Sequence, residues 1–107
     1  MSILGFVRRC TGILRRRAEY WIVCRSSLWD ADWYCRVYRI QGKVRALKHY
    51  CTVGWKTGFD PSPYFSSESY LEKSPDVRAA GINPVIHYER SGKYEFRPFD
   101  CSTRAGE

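Results

Sequence analysis

The stretch FSSESYLEKSPDVRAAGINPVIHYERSG, residues 65–92, decides the fold because it contains start and stop signals for three short helices. Ser66 or Ser67 is placed to cap the first helix, which we expect to reach about Lys73. Ser74-Pro75 begins the second helix. Serine can cap a helix, and proline lacks the amide hydrogen that would be unsatisfied in the first turn.

The end of this stretch contains the remaining helix start and stop signals. Gly81 is predicted to end the second helix, which runs through Ala80. Asn83-Pro84 repeats the cap-and-proline device for a third helix that includes Tyr88, with Gly92 just past its end. We therefore predict three very short helices in 28 positions rather than one long helix.

The same pattern occurs earlier in the chain. His49, Tyr50 and Gly54 return 38 positions later as His87, Tyr88 and Gly92, and Trp29 and Tyr34 return 36 positions later as Phe65 and Tyr70. Recurrence at a fixed period indicates repeated structural units. We predict two helical repeats, residues 28–64 and 65–100, between a basic amphipathic helix at 1–27 and a tail at 101–107.

The first repeat has weaker signals. Asp30 is placed to cap its first helix, whose buried stripe would contain Trp33, Tyr34 and Val37. We expect a break near Gly42, then a helix from about Lys43 to Val53.

Length and composition limit the architecture. The chain has 107 residues, of which 16% are aromatic, so we predict one small all-α domain whose core is made largely of rings. A chain of this size has no room for a large catalytic cleft between two lobes. We expect no enzymatic activity, no metal and no cofactor.

The quoted residues resemble a known bacterial sequence repeat. The matching segments are Phe65–Leu71, Pro75–Val77, Asn83-Pro84, His87-Tyr88 and Arg97-Pro98, with Trp29–Tyr34 and Ala46–Tyr50 as their counterparts in the first copy. The repeat is similar to ones found in tandem beside glycosyltransferase and rhamnan-synthesis domains of capsule and surface-polysaccharide proteins. The resemblance implies a non-catalytic interaction module whose partner is a glycosyltransferase or a polysaccharide-assembly protein.

Positive charge is concentrated at the N-terminus. Residues 1–25 contain six arginines against Glu19, within a chain of net charge +7. The alternative hypothesis is therefore a peripheral binder of an anionic membrane or polymer, acting through its arginines. Those arginines are Arg8, Arg9, Arg15, Arg16 and Arg17. The nearly neutral remainder gives no reason to expect nucleic-acid binding.

The cysteine pattern favours a cytoplasmic location, with the inner membrane surface as the peripheral alternative. The five cysteines are irregularly spaced and form no C-x-x-C pair, which is typical of reduced thiols. The longest apolar run, Tyr20–Cys24, is far shorter than a membrane-spanning helix requires. We expect neither such a helix nor a signal peptide.

Three groups of residues have both a functional and a structural interpretation. Asp30 and Asp32 have the D-x-D spacing of metal-dependent glycosyltransferases, although Asp30 also fits a helix cap. His49 and His87 have no carboxylate or nucleophile that recurs beside them. We therefore expect each to hold the extended stretch that follows its helix, residues 59–63 or 96–100, by bonding a backbone carbonyl or a carboxylate such as Asp60 or Asp100. Most rings are expected in the core. The rings near predicted turns, which we expect to be exposed and able to stack on a glycan, are Trp55, Tyr64 and Tyr94.

Overall fold

A computed structural model describes residues 15–98, and the regular structure in that range is helical. The α-helices are α1 (residues 15–25), α2 (Ala31–Tyr38), α3 (Lys43–Thr52), α4 (Ser67–Lys73), α5 (Pro75–Ala80) and α6 (Pro84–His87). A 3₁₀ helix, Gly54–Thr57, follows α3, and a π-helical turn, Tyr88–Gly92, follows α6. The described chain has no β-strand, only an isolated bridge between Ser62 and Phe65. The predicted small all-α domain is confirmed.

Side-chain caps begin three of the helices as the sequence predicts. The Asp30 carboxylate accepts a hydrogen bond from the Trp33 amide at 3.0 Å, which caps α2. Ser66 caps α4, and Asn83 caps α6. Each cap satisfies an amide that the first helical turn leaves without a backbone partner.

The Ser74-Pro75 start works differently from our expectation. Pro75 is in the first turn of α5, but the Ser74 side chain makes no capping hydrogen bond. The Ser74 carbonyl accepts from the Val77 and Arg78 amides instead, while its hydroxyl is buried without a partner among the described residues. Gly81, at φ 67°, ends α5 in the left-handed conformation that glycine adopts without strain.

Two further expectations need correction. Gly92 does not lie just past a helix, because α6 ends at His87 and Gly92 belongs to the π-helical turn that follows. Val37 is not part of the buried stripe of α2; it is exposed, whereas the neighbouring ring of Tyr38 stacks on Phe59 with centroids 4.1 Å apart.

Rings form the centre of the core. Tyr34, Tyr50, Phe65 and Tyr70 are its largest fully buried side chains. The other buried apolar residues are Val23, Leu28, Ala46, Cys51, Trp55, Leu71, Val77, Val85 and Ile86. Because members come from α1 and from both predicted repeats, one continuous core holds them together.

Hydrogen bonds connect the two predicted repeats, which we call unit 1 (28–64) and unit 2 (65–98 as described). The Tyr50 hydroxyl lies 2.8 Å from Oγ of Ser67, and the Ser67 amide donates to the Asp60 carboxylate at 3.0 Å. At the other side, the Ser26 hydroxyl after α1 donates to Oε2 of Glu89 at 2.6 Å. The chain after α1 therefore contacts unit 2 as well as leading into unit 1.

Candidate functional site

The two histidines that recur in the sequence make the same hydrogen bond. In unit 1, Nδ1 of His49 lies 2.7 Å from the Tyr34 hydroxyl. In unit 2, Nδ1 of His87 lies 2.8 Å from the Tyr70 hydroxyl. The ring centroids are 5.9 Å apart at 56° in the first pair and 6.0 Å apart at 58° in the second.

A second tyrosine and one further ring complete each arrangement. Tyr50 meets Tyr34 edge-on at 5.9 Å, and Tyr88 meets Tyr70 edge-on at 6.2 Å, both at 84°. Trp29 packs on Tyr34 at 5.1 Å in unit 1, and Phe65 packs on Tyr70 at 5.5 Å in unit 2. Edge-on contacts of this kind bring the positive ring edge to the negative ring face. We call these four-ring arrangements the ring clusters. One consists of Trp29, Tyr34, His49 and Tyr50, and the other of Phe65, Tyr70, His87 and Tyr88.

A glycine lies directly against each buried phenol. Gly54 and Gly92 are both buried, and a Cβ atom at either position would overlap the hydroxyl of Tyr34 or Tyr70, respectively. The recurrence of these glycines therefore has a steric reason. The backbone must approach the phenol closely, and any larger residue displaces the ring or the chain.

The buried phenols of Tyr34, Tyr50 and Tyr70 remain neutral at physiological pH. Burial raises the pKa of Tyr70 to about 12, and it raises the pKa values of Tyr34 and Tyr50 as well. A neutral phenol suits a hydrogen bond to an imidazole, which can act as donor or acceptor. The two tyrosine–histidine bonds join α2 to α3 in unit 1 and α4 to α6 in unit 2.

The expected partners of the histidines need correction. Within residues 15–98, the hydrogen-bond partner of each histidine is a tyrosine hydroxyl, and not a backbone carbonyl or Asp60. The Asp60 carboxylate accepts from the Ser67 amide instead. Asp100 lies outside the described residues. The sequence did contain a signal for the true pairing, because Tyr34 and His49 recur together as Tyr70 and His87.

The D-x-D pair has structural contacts. Asp30 caps α2, and Asp32 lies 3.6 Å from the ammonium of Lys43 on the protein surface. Across residues 15–98, no group of three His, Cys, Asp or Glu side chains is placed to hold a metal ion.

The three candidate stacking rings separate into two classes. Tyr64 and Tyr94 are exposed, at 69% and 70% of their surface. Trp55 is not: only 9% of it is accessible, and its indole nitrogen donates to the Cys51 carbonyl at 3.1 Å. The expectation that Trp55 is exposed is therefore wrong, because the 3₁₀ helix after α3 turns it into the core.

Apolar, polar and charged side chains together line a shallow groove that the sequence did not reveal. The groove, of about 450 Å³, is lined by residues at the N-terminal end of α2, in α3 and in the connector between the units (residues 58–66), together with Cys24 of α1, Ser27 and Trp29. Val44 and Tyr64 are two of its most exposed members. One turn before Cys24, Trp21 is 62% exposed. Val23 takes the buried position in α1.

The predicted anionic-surface arginines are only partly described. Arg15, Arg16 and Arg17 are exposed on α1. Arg8 and Arg9 lie outside the described residues. None of the helices in the described range is long and apolar enough to cross a bilayer.

Comparison of the chain with known protein families, characterised proteins and solved structures found no match.

Proposed function

We propose that the chain is a non-catalytic interaction module that binds a protein component of bacterial surface-polysaccharide or glycosyltransferase machinery. The observation that supports it is the repeated tyrosine–histidine pair. His49 and His87 are the recurring side chains best suited to acid–base chemistry, and each is hydrogen-bonded to a buried phenol. Histidines used in this way stabilise the units and leave the exposed surface for binding.

The choice of partner rests on the sequence resemblance. Fold alone does not assign a function, so the polysaccharide setting comes from the motifs quoted above and not from the helical architecture. The proposal places the module in the cytoplasm. The thiols of Cys24, Cys35 and Cys51 are free, which fits a reducing compartment.

Site-specific photo-crosslinking in bacterial cells that assemble a surface polysaccharide tests the proposed partner. A photoreactive residue replaces Tyr64 in one variant and Tyr94 in another, since both side chains are exposed and lie in different units. We expect at least one position to capture a glycosyltransferase or polysaccharide-assembly protein after irradiation. Crosslinks only to proteins of unrelated processes would contradict the proposal.

The non-catalytic part is tested separately with the purified chain. We expect no release of nucleoside diphosphate from sugar nucleotides in the presence of divalent cations. The matched control is the double variant Asp30→Asn, Asp32→Asn, which keeps the cap because asparagine also caps helices. Nucleotide release by the wild type that this variant lacks would show that the D-x-D pair is catalytic.

A further inference from the structure

An exposed surface that combines rings, small apolar side chains and cations runs across α1, α3 and the connector between the units. We call it the α1–α3 face. Its members are Arg17, Trp21, Cys24, Val44, Lys48 and Tyr64, all of which are exposed. Scattered apolar residues are ordinary on a protein surface, but a contiguous patch with a charged edge indicates an interaction site.

Helical spacing and two shared concavities connect the members of the face. On α1, Arg17, Trp21 and Cys24 follow one another at the spacing that places residues on one side of a helix. Cys24 lines the 450 Å³ groove together with Val44 and Tyr64. Val44 also lines a second concavity of about 480 Å³, whose other members include Lys48.

The aromatic members have the chemistry of a membrane interface. Trp21 is 62% exposed, and the guanidinium of Arg25 lies 4.8 Å from its ring centroid. Tryptophan and tyrosine favour the headgroup level of a bilayer, where the ring meets apolar chains and the polar atom meets water. Arginine and lysine extend their charged ends from such a surface toward phosphate.

The charge of the surrounding elements favours an anionic occupant. The described part of α1, residues 15–25, has four arginines against Glu19, and α3 has three cations and no carboxylate. Two carboxylates, Asp30 and Asp32, also line the groove; Asp32 lies 3.6 Å from the ammonium of Lys43, and Asp30 caps α2. The seven cations of α1 and α3 nevertheless outnumber Glu19 and these two aspartates, so the net charge of the two helices and the groove is positive.

We propose that the α1–α3 face docks on the surface of a bilayer containing anionic lipids. An anionic bilayer offers phosphate to Arg17 and Lys48 and an apolar layer to Trp21 and the aliphatic Val44, whereas a nucleic acid offers phosphate and stacking bases but no apolar layer. This face extends the arginine-helix hypothesis, because three of its members lie in α3 and the connector. It does not depend on the polysaccharide proposal.

Vesicle co-sedimentation of the full 107-residue chain tests the proposal. We expect binding to vesicles of phosphatidylcholine with phosphatidylglycerol at low salt, weaker binding at high salt, and none to phosphatidylcholine alone. Tryptophan emission should shift to the blue on binding, and Trp21→Phe should remove most of that shift.

Matched variants locate the binding surface. Trp21→Ala should weaken vesicle binding about tenfold, because it removes a large inserted ring. Lys48→Ala should weaken it about fivefold, as expected for one cation near an anionic surface. The controls are Tyr94→Ala, an exposed ring with the Lys93 ammonium 5.3 Å from its centroid, and Arg90→Ala, an exposed cation in unit 2. Both controls should bind like the wild type.

Several results would overturn the proposal. One is the absence of binding to anionic vesicles at low salt, and another is an equal loss of binding in the test and control variants. A dimer in sedimentation velocity that Trp21→Ala dissociates, with no vesicle binding, would identify a second copy as the occupant. Binding to single-stranded nucleic acid but not to vesicles would identify a nucleic acid as the occupant.

Circular dichroism checks that each variant is folded. If Trp21→Ala is not folded, the comparison of Lys48→Ala with Arg90→Ala decides the outcome.

Discussion

The Tyr70 hydroxyl lies 2.8 Å from Nδ1 of His87, and this bond joins α4 to α6. Tyr70 is fully buried, so its phenol has no access to water if the imidazole is removed. A buried polar group without a partner loses the full value of its hydration. The bond is therefore worth more to the fold than an exposed hydrogen bond.

Replacing His87 by phenylalanine should lower the free energy of unfolding by about 1–3 kcal/mol, because the ring volume is kept but the Tyr70 phenol loses its partner. Urea denaturation followed by circular dichroism measures the change. His49→Phe, which affects the equivalent Tyr34 bond, should have a similar effect. The double variant His87→Phe, Tyr70→Phe should lose less than the sum of the single changes. An unchanged free energy of unfolding in His87→Phe would exclude a structural role for this histidine.

Replacing Gly92 by alanine should destabilise the protein by about 1–3 kcal/mol, because the added methyl overlaps the Tyr70 hydroxyl. Thermal melts provide the measurement, and adding Tyr70→Phe should recover part of the loss. Gly81→Asn is the control: Gly81 has positive φ but no atom within 4 Å of an added Cβ, and asparagine tolerates that backbone. If both substitutions cost the same, the close approach to Tyr70 is not what requires glycine at position 92.

Alkaline pH should destabilise the fold through its buried phenols. Tyr70 ionises at a pKa of about 12 in the folded chain and near its ordinary value of 10.0 in the unfolded chain, chiefly because burial disfavours the phenolate. The unfolded chain therefore releases its proton first. The contribution of Tyr70 to the free energy of unfolding is fully present below pH of about 10 and is lost as pH rises toward about 12. Urea melts at a series of alkaline pH values measure the decline.

Tyr70→Phe is the matched variant for this pH series. Its stability should decline less steeply with pH than that of the wild type, although some decline remains because burial raises the pKa values of Tyr34 and Tyr50 as well. Parallel profiles for the two proteins would show that Tyr70 ionises in the folded state as readily as in the unfolded state.

Truncating Trp55 should cost much more stability than truncating Tyr64, although the sequence suggested the same role for both. Trp55→Ala removes a buried ring and should cost about 3–5 kcal/mol, which is enough to unfold much of a small domain. Tyr64→Ala removes an exposed ring and should change the free energy of unfolding by about 0.5 kcal/mol or less. Chemical denaturation compares them, and an equally large loss in Tyr64→Ala would mean that this ring is part of the core.

Local signals predicted the helices better than the ring contacts. Asp30, Ser66 and Asn83 cap the helices that their positions indicated, because a cap depends on a few adjacent residues. The contact between Tyr34 and His49 depends on how α2 packs on α3, which spacing alone does not specify. The burial of Trp55 was not predicted for the same reason, because it depends on how the 3₁₀ helix after α3 packs on the rest of the domain.

The orientation of α1 was the least predictable part. Trp21 has the spacing of an apolar stripe, yet Val23 is the fully buried residue of α1 and Trp21 is exposed. Hydrophobic periodicity identifies the helix, but it cannot fix the rotation of a short helix against its neighbours when several positions are apolar.

The Ser26–Glu89 hydrogen bond makes the domain sensitive to the number of its units. Ser26 precedes unit 1, and Glu89 lies near the end of unit 2, yet their side chains meet at 2.6 Å. Repeat arrays normally lengthen by inserting units, because each unit contacts only its neighbours. A third unit inserted here would move Glu89 away from Ser26 and break this bond. The bond therefore fits the separation that two predicted units set between Ser26 and Glu89.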